Sequence, residues 1–140
     1  MDQLIQFFCN HWVLWLTLLF ILILIFINEM LAQKKQAKQV SPQAAIDLIN
    51  HQQAVVIDLR DTELFNKGHI IDSVRVSADD FQKKSMDKYK NKLLVLVCAR
   101  GQQSQTLAVT LREQGYVNTM VLAGGIAAWQ AENLPLVKKK

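Results

Sequence analysis

Cysteine is scarce in this chain: Cys9 and Cys98 are the only two in 140 residues. Two distant cysteines without a C-x-x-C pair exclude a disulfide framework and a thiolate metal site. No extended basic patch interleaved with aromatic residues suggests nucleic acid, so we predict no nucleic-acid-binding surface. Formal charge is absent from residues 7–27. That uncharged stretch divides the chain into an apolar head and an ordinary globular remainder.

The apolar head has the length of a membrane span. A helix over residues 7–27 covers roughly 30 Å, which is the thickness of the hydrocarbon core. The helix has no polar face, which argues against a buried core helix. No basic residue precedes it, and residues 28–31 do not resemble a cleavage site, which argues against a cleaved signal peptide. We therefore predict a retained transmembrane helix within residues 1–28.

Lysines flank this span on one side only. Lys34, Lys35 and Lys38 follow it, whereas no Lys or Arg precedes it. The positive-inside rule then predicts an N-terminus outside and a C-terminal domain in the cytoplasm. The predicted organisation continues with a polar stalk (29–39), a globular domain (40–137) and a basic, solubilising tail (138–140). On this topology the two cysteines lie on opposite sides of the membrane and cannot pair, and Cys98 meets a reducing compartment.

The globular part alternates short apolar runs with amphipathic segments. The predicted strands are 54–59, 73–76, 93–97 and 117–122, and the predicted helices are 43–50, 62–67, 102–114 and 126–131, with 79–90 helical in part. Such alternation predicts an α/β fold with a parallel sheet flanked by helices on both faces. Ligands bind such sheets at the carboxyl ends of the strands. Asp58 and Cys98 both lie at such ends.

Cys98 is the strongest candidate for chemistry. It stands between a buried strand and a helix start, where backbone N–H groups and the helix dipole favour a thiolate. The alternative is a buried cysteine that serves as a small hydrophobe. The Arg100-Gly101 pair and the polar run to Ser104 favour an active site, because a structural cysteine does not need such a turn.

Several short motifs then resemble a known family, the single-domain rhodanese-like sulfurtransferases. In chain order they are Asp58-Leu59-Arg60, Gly68-His69-Ile70, Cys98-x-x-Gly101-x-x-Ser104, Leu122-Ala123-Gly124-Gly125-x-x-x-Trp129 and Leu134-Pro135. The resemblance covers about residues 40–137. With the N-terminal span, the chain is similar to the membrane-anchored bacterial members, which implies the inner membrane as its location.

The resemblance implies a rhodanese fold and a persulfide enzyme without metal or cofactor. Cys98 would take sulfur from a sulfane-sulfur donor and pass it to a thiol or a cyanide-like acceptor. The binding loop would comprise Ala99, Arg100, Gly101, Gln102, Gln103 and Ser104. Gly101 allows the backbone to curl, and Ser104 either caps the following helix or donates to the sulfur. Arg100 either lowers the Cys98 pKa or attracts an anionic donor.

Other motif residues are expected to be structural. We expect Asp58 to accept from loop amides and Arg60 to pair with an acid of the same loop, so both support the site. His69 and Trp129 are expected to be packed side chains.

Three positions qualify the resemblance. Gln103 stands where many members carry Arg, and it offers a dianion such as thiosulfate no charge. Asn133 stands where glycine is usual, and asparagine tolerates the left-handed backbone. The sixth residue after Cys98 is Ser104 rather than the arginine that a Cys-x5-Arg phosphatase needs, which excludes phosphatase activity.

Two other functions are compatible with the same sequence. The second hypothesis is a membrane-tethered module that binds other membrane proteins and has little sulfurtransferase turnover. The third hypothesis is a redox or persulfide sensor, which would need a partner because the chain has no resolving cysteine. The lipid bilayer is an expected partner in every case.

Overall fold

A computed structural model describes residues 1–139 and divides the chain after Lys35 into two units. The first unit contains helices α1 (Asp2–Asn10) and α2 (Trp12–Lys35). Residues Trp12–Ala32 have a mean hydropathy of 2.4, and none of the most apolar window is buried. A core helix of a soluble protein is mostly buried, and this helix is not. The predicted apolar helix is therefore confirmed as a candidate membrane span, and its properties fit an anchor or a signal sequence.

The second unit is built on five parallel strands. They are β1 (Lys38–Val40), β2 (Val55–Asp58), β3 (Val74–Arg75), β4 (Leu94–Val97) and β5 (Thr119–Leu122), in the sheet order β1-β5-β4-β2-β3. The helices are α3 (Pro42–Gln52), α4 (Thr62–Lys67), α5 (Gln102–Glu113) and α6 (Gly125–Ala131), with 3-10 helices at Ala78–Gln82 and Lys84–Tyr89. The predicted parallel α/β architecture is confirmed.

Strand β4 shows how the sheet separates two cores. Leu94 and Leu96 belong to the core that includes Leu111 of α5. Val95 and Val97 belong to the opposite core, which α3 and α6 cover. Neighbouring residues on a strand point to opposite faces, and all four of these side chains are at most 1% exposed. A continuous apolar run is therefore what a central strand of this sheet requires.

Local signals place several helix starts. Ser41 is the N-cap of α3, where its hydroxyl accepts a hydrogen bond from the Ala44 N–H at 3.2 Å, and Pro42 occupies the first helical position. Helix α4 has the predicted bounds, and α5 ends one residue before its predicted end. Asn133 adopts a left-handed φ of 57°, as its position in the motif suggests.

The main difference from the sequence prediction is strand β1. We predicted a polar stalk through Gln39, whereas α2 runs to Lys35 and residues Lys38–Val40 pair with β5 at the edge of the sheet. The strand has three residues, of which two are exposed, so it has no readable alternation. Its hydrogen bonds to β5 hold it in place. The residues around β1 in the sequence cannot predict a pairing with a strand so far along the chain. The globular unit thus begins at Gln36 rather than at residue 40.

The C-terminal residues are bonded to the globular unit up to Lys139. Val137 and His69 exchange two main-chain hydrogen bonds of 2.8 and 2.9 Å, and the Lys139 N–H donates to the Asn66 carbonyl at 3.3 Å. Lys138 is therefore held at its backbone on both sides, beside the end of α4. Lys140, the last residue of the predicted basic tail, lies outside the described residues.

Candidate active site

Cys98 lies directly after β4, at the carboxyl edge of the sheet, and is only 3% exposed. The Gly101 N–H donates a hydrogen bond to its Sγ at 3.0 Å. Gly101 is the N-cap of α5 and has a left-handed φ of 92°, which a residue with a Cβ adopts only at a cost. The loop after β4 therefore curls around the sulfur, as the sequence predicts.

The first turn of α6 holds this loop from the other side. The Ile126 N–H donates to the Cys98 carbonyl at 2.9 Å, and the Ala127 N–H donates to the Ala99 carbonyl at 3.1 Å. The approach is so close that a Cβ on Gly125 would lie 2.2 Å from the Cys98 oxygen. Only glycine fits at Gly125, and the position of the cysteine depends on this contact.

The surroundings of Cys98 favour its thiolate. Burial raises its pKa, but the Ser104 hydroxyl and the backbone N–H groups of Ser104, Gly101 and Arg100 outweigh this effect, so the pKa lies below its ordinary value. Arg100 acts here through its backbone N–H. The site therefore holds a partly desolvated thiol among hydrogen-bond donors that favour its thiolate.

Ser104 is the one loop side chain directed into the protein. It is completely buried, and its Oγ forms no hydrogen bond of standard geometry, although the hydroxyl contributes to the lowered pKa of Cys98. These two observations agree if the hydroxyl lies near Sγ and rotates toward it when the sulfur is charged. Of the two predicted roles, donation to sulfur fits, whereas Gly101 is the helix cap. The other predicted loop side chains, those of Ala99, Arg100, Gln102 and Gln103, are exposed.

Asp58 and Arg60 form a buried ion pair beside this loop. The Asp58 carboxylate is 1% exposed and accepts hydrogen bonds from the Arg60 side chain at 2.8 to 3.2 Å and from the Arg60 N–H at 3.0 Å. Arg60 also donates to the Gly68 carbonyl at 2.6 Å. The predicted pairing is present. It braces the segment after β2, and Asp58 lies in register with Val97, next to the cysteine.

Two further motif residues are packed, as expected. The His69 ring is stacked on Phe65 with centroids 3.9 Å apart, and its Nδ1 lies 2.8 Å from the Phe65 carbonyl oxygen. Trp129 is 4% exposed, and its Nε1 donates to the Pro135 carbonyl at 3.1 Å. His69 links α4 to the C-terminal segment, and Trp129 links α6 to the same segment.

The sequence model of the rhodanese-like domain matches residues 41–132, which is more than half of the chain. The chain belongs to the rhodanese-like domain family. Its cysteine loop, the turn at Gly125 and the buried ion pair are thus parts of a rhodanese-like domain, preceded by a candidate membrane span.

Relatives and solved structures agree with this assignment. The uncharacterized protein YibN of Escherichia coli strain K12 is 32% identical over the full length of both chains. The thiosulfate sulfurtransferase GlpE of Pseudoalteromonas translucida is 31% identical over 67% of this chain and 90% of its own. The crystal structure of a rhodanese-related protein from Thermoplasma volcanium covers 73% of this chain and 99% of its own, with a TM-score of 0.64 and 22% identity. That last similarity shows the rhodanese fold.

Ser104→Ala should raise the pKa of Cys98, because it removes a donor that favours the thiolate. The unfolding free energy should fall little or not at all, since the hydroxyl has no other partner. The rate of Cys98 alkylation as a function of pH measures the first effect, in a full-length Cys9→Ser background. Gln103→Ala, which changes an exposed side chain, is the matched control. An unchanged alkylation midpoint in Ser104→Ala would show that the hydroxyl does not act on the sulfur.

Arg60→Ala should destabilise the rhodanese-like domain by about 3–5 kcal/mol, because it leaves the Asp58 carboxylate buried without its partner. Denaturant unfolding of the full chain in detergent micelles measures the loss. The double variant Asp58→Leu, Arg60→Met should lose less, since no unpaired charge remains. A stable Arg60→Ala chain that no longer reacts with a sulfur donor would instead assign the arginine to substrate binding.

Proposed function

We propose that this chain is a membrane-anchored sulfurtransferase that carries sulfane sulfur as a persulfide on Cys98. The observation that carries the proposal is the buried Cys98 Sγ, which accepts a hydrogen bond from the Gly101 N–H at 3.0 Å in a loop whose donors lower the Cys98 pKa. A thiolate is the form of cysteine that attacks a sulfane sulfur. The relative named as a thiosulfate sulfurtransferase, which matches two thirds of this chain, supports the same chemistry.

The loading step needs no cofactor. The Cys98 thiolate attacks the outer sulfur of thiosulfate, the sulfur–sulfur bond of thiosulfate breaks, and sulfite leaves with the electron pair. The new persulfide keeps the negative charge on its outer sulfur. Backbone N–H groups of the loop stabilise this charge in a site nearly closed to water. The buried Ser104 hydroxyl supplies a further donor.

The loop 99–104 would bind the donor. Arg100 is exposed beside the cysteine and would attract an anion, whereas Gln103 is exposed and neutral. Arg100 would therefore supply the positive charge that attracts a dianion to the loop. Asp58 and Arg60 support the loop and take no part in the transfer.

We further propose that the apolar helix is a retained single-pass anchor in a bacterial inner membrane. The N-terminus would lie outside and the rhodanese-like domain in the cytoplasm, because the lysines follow the span. The anchor would be the apolar helix that includes Trp12–Ala32, and the linker would end before Gln36, where the globular unit begins. The bilayer is then the permanent partner of the chain.

Incubation with thiosulfate should add one sulfur to the full-length chain, and later incubation with cyanide should remove it. Intact-mass measurement of the chain in detergent micelles follows both steps. Cys9→Ser and Cys98→Ser are matched variants, each with one cysteine left. We expect the adduct on Cys9→Ser and none on Cys98→Ser.

A folded chain that acquires no sulfur from thiosulfate or from inorganic polysulfide would overturn the sulfurtransferase proposal. A tethered binding module would then be the better explanation, since the exposed apolar helix alone can place the domain beside membrane proteins. An adduct on Cys9 alone would show that Cys98 is not the sulfur carrier, and it too would overturn the proposal.

Alkaline phosphatase fused after Lys140 should be inactive in bacterial cells, because the enzyme requires export and the domain is proposed to stay in the cytoplasm. A green fluorescent protein at the same position should fluoresce. The same phosphatase behind a cleaved export signal is the positive control. An active phosphatase would refute the orientation, and a mature chain shortened at its N-terminus would identify a signal peptide.

A further inference from the structure

A groove runs from the Cys98 loop along α4 to the C-terminal segment. Its first part, a cavity of about 250 Å³, is lined at the cysteine end by Ala99 and Arg100. Its second part, a cavity of about 410 Å³, is lined at the far end by Lys67 and Lys138. The two cavities share four lining residues and therefore lie side by side. The shared residues are Arg60, Leu64, Ile126 and Gln130. We call the two cavities together the acceptor groove.

The middle of the acceptor groove carries an apolar strip beside the polar side chains of Arg60 and Gln130. Leu64 is 45% exposed, whereas its neighbour Phe65 on α4 is buried in the domain. Ile126 and Ala127 of α6 line the same cavity as Leu64. An exposed leucine in a cavity that reaches the Cys98 loop offers a binding surface for a carbon chain. A small inorganic anion makes no use of such a surface.

The far end of the acceptor groove is cationic. Lys138 is held in place by the main-chain bonds of Val137 and Lys139, so its position does not depend on a free tail. Lys67 lies 3.4 Å from Glu63, but both side chains are more than two thirds exposed. An exposed pair of this kind is weak. Both lysines therefore remain available to an anionic group in the groove.

We propose that Leu64, Lys67 and Lys138 select the sulfur acceptor, and that this acceptor is an organic thiol with an apolar stem and a carboxylate. The stem would lie on Leu64 and Ile126, and the carboxylate would reach the two lysines. The thiol would then point toward the Cys98 loop. This inference rests on the proposed sulfurtransferase function and names the class of its second substrate.

The transfer step balances without a further reactant. The acceptor thiolate attacks the outer sulfur of the Cys98 persulfide and forms a new sulfur–sulfur bond. The bond between that sulfur and Cys98 Sγ breaks, and its electron pair restores the Cys98 thiolate. The acceptor leaves as a persulfide, and no electrons are gained or lost overall.

The experiment compares two thiols that share a stem. The full-length chain in detergent micelles is loaded with sulfur on Cys98, and intact mass follows the loss of that sulfur to mercaptohexanoate or to mercaptohexanol. The first has a carboxylate and the second has a hydroxyl in its place. Transfer to mercaptohexanoate should saturate at a lower concentration, and added salt should reduce the difference.

Variants separate the contributions of the groove. Lys67→Gln and Lys138→Gln should each raise the half-saturating concentration of mercaptohexanoate about threefold, as loss of one exposed charge contact implies. Neither should change transfer to mercaptohexanol. Leu64→Ser should raise the half-saturating concentration of both thiols. Lys84→Gln removes an exposed lysine that does not line the groove, and should change the half-saturating concentration of neither thiol.

The outcomes are distinguishable. Equal transfer to the two thiols, with no effect of Lys67→Gln, Lys138→Gln or Leu64→Ser, would overturn the acceptor groove while Cys98 remains a sulfur carrier. A folded chain in which Cys98 takes up no sulfur from any donor would overturn the proposed function itself, and the groove assignment with it.

Discussion

The contact between the Cys98 loop and the first turn of α6 is the constraint on which the site depends. Two main-chain hydrogen bonds, from Ile126 to Cys98 and from Ala127 to Ala99, fasten the loop to the helix. The backbones approach so closely that Gly125 has no room for a side chain. Because α6 binds the loop through its carbonyl groups, the N–H groups of the loop can point toward the sulfur. The Gly101 N–H donates to Cys98 Sγ at 3.0 Å.

The same edge of the sheet brings recognition and chemistry together. Cys98 follows β4, Asp58 ends β2 beside it, and α6 follows β5 on the other side. The Asp58–Arg60 pair braces the segment that leads into α4, and α4 carries Leu64 and Lys67 into the groove. The buried ion pair and the surface where an acceptor is proposed to bind are thus connected through one chain segment, which leads from β2 into α4. The C-terminal segment completes that surface because it is bonded to His69 and Asn66.

The two units make different demands on the sequence. The apolar helix needs only length and hydropathy, which any order of Leu, Ile and Phe satisfies. The rhodanese-like domain needs particular residues at particular positions, with glycine at 101 and 125 and a small polar side chain at 104. The relative YibN of Escherichia coli matches this chain over both units.

By itself, the sequence determined the parallel α/β class, most helix bounds, the apolar helix and the pairing of Arg60 with an acid of its loop. These features follow from local patterns: apolar runs, caps and residues two positions apart. Only the tertiary structure decided that Lys38–Val40 is a strand, that Ser104 is buried with a spare hydroxyl, and that Leu64, Lys67 and Lys138 line one groove. The strand and the groove depend on partners far along the chain, such as β5 for β1 and His69 for Val137. Local periodicity carries no information about side chains that line one cavity from positions seventy or more residues apart, as Lys67 and Lys138 do.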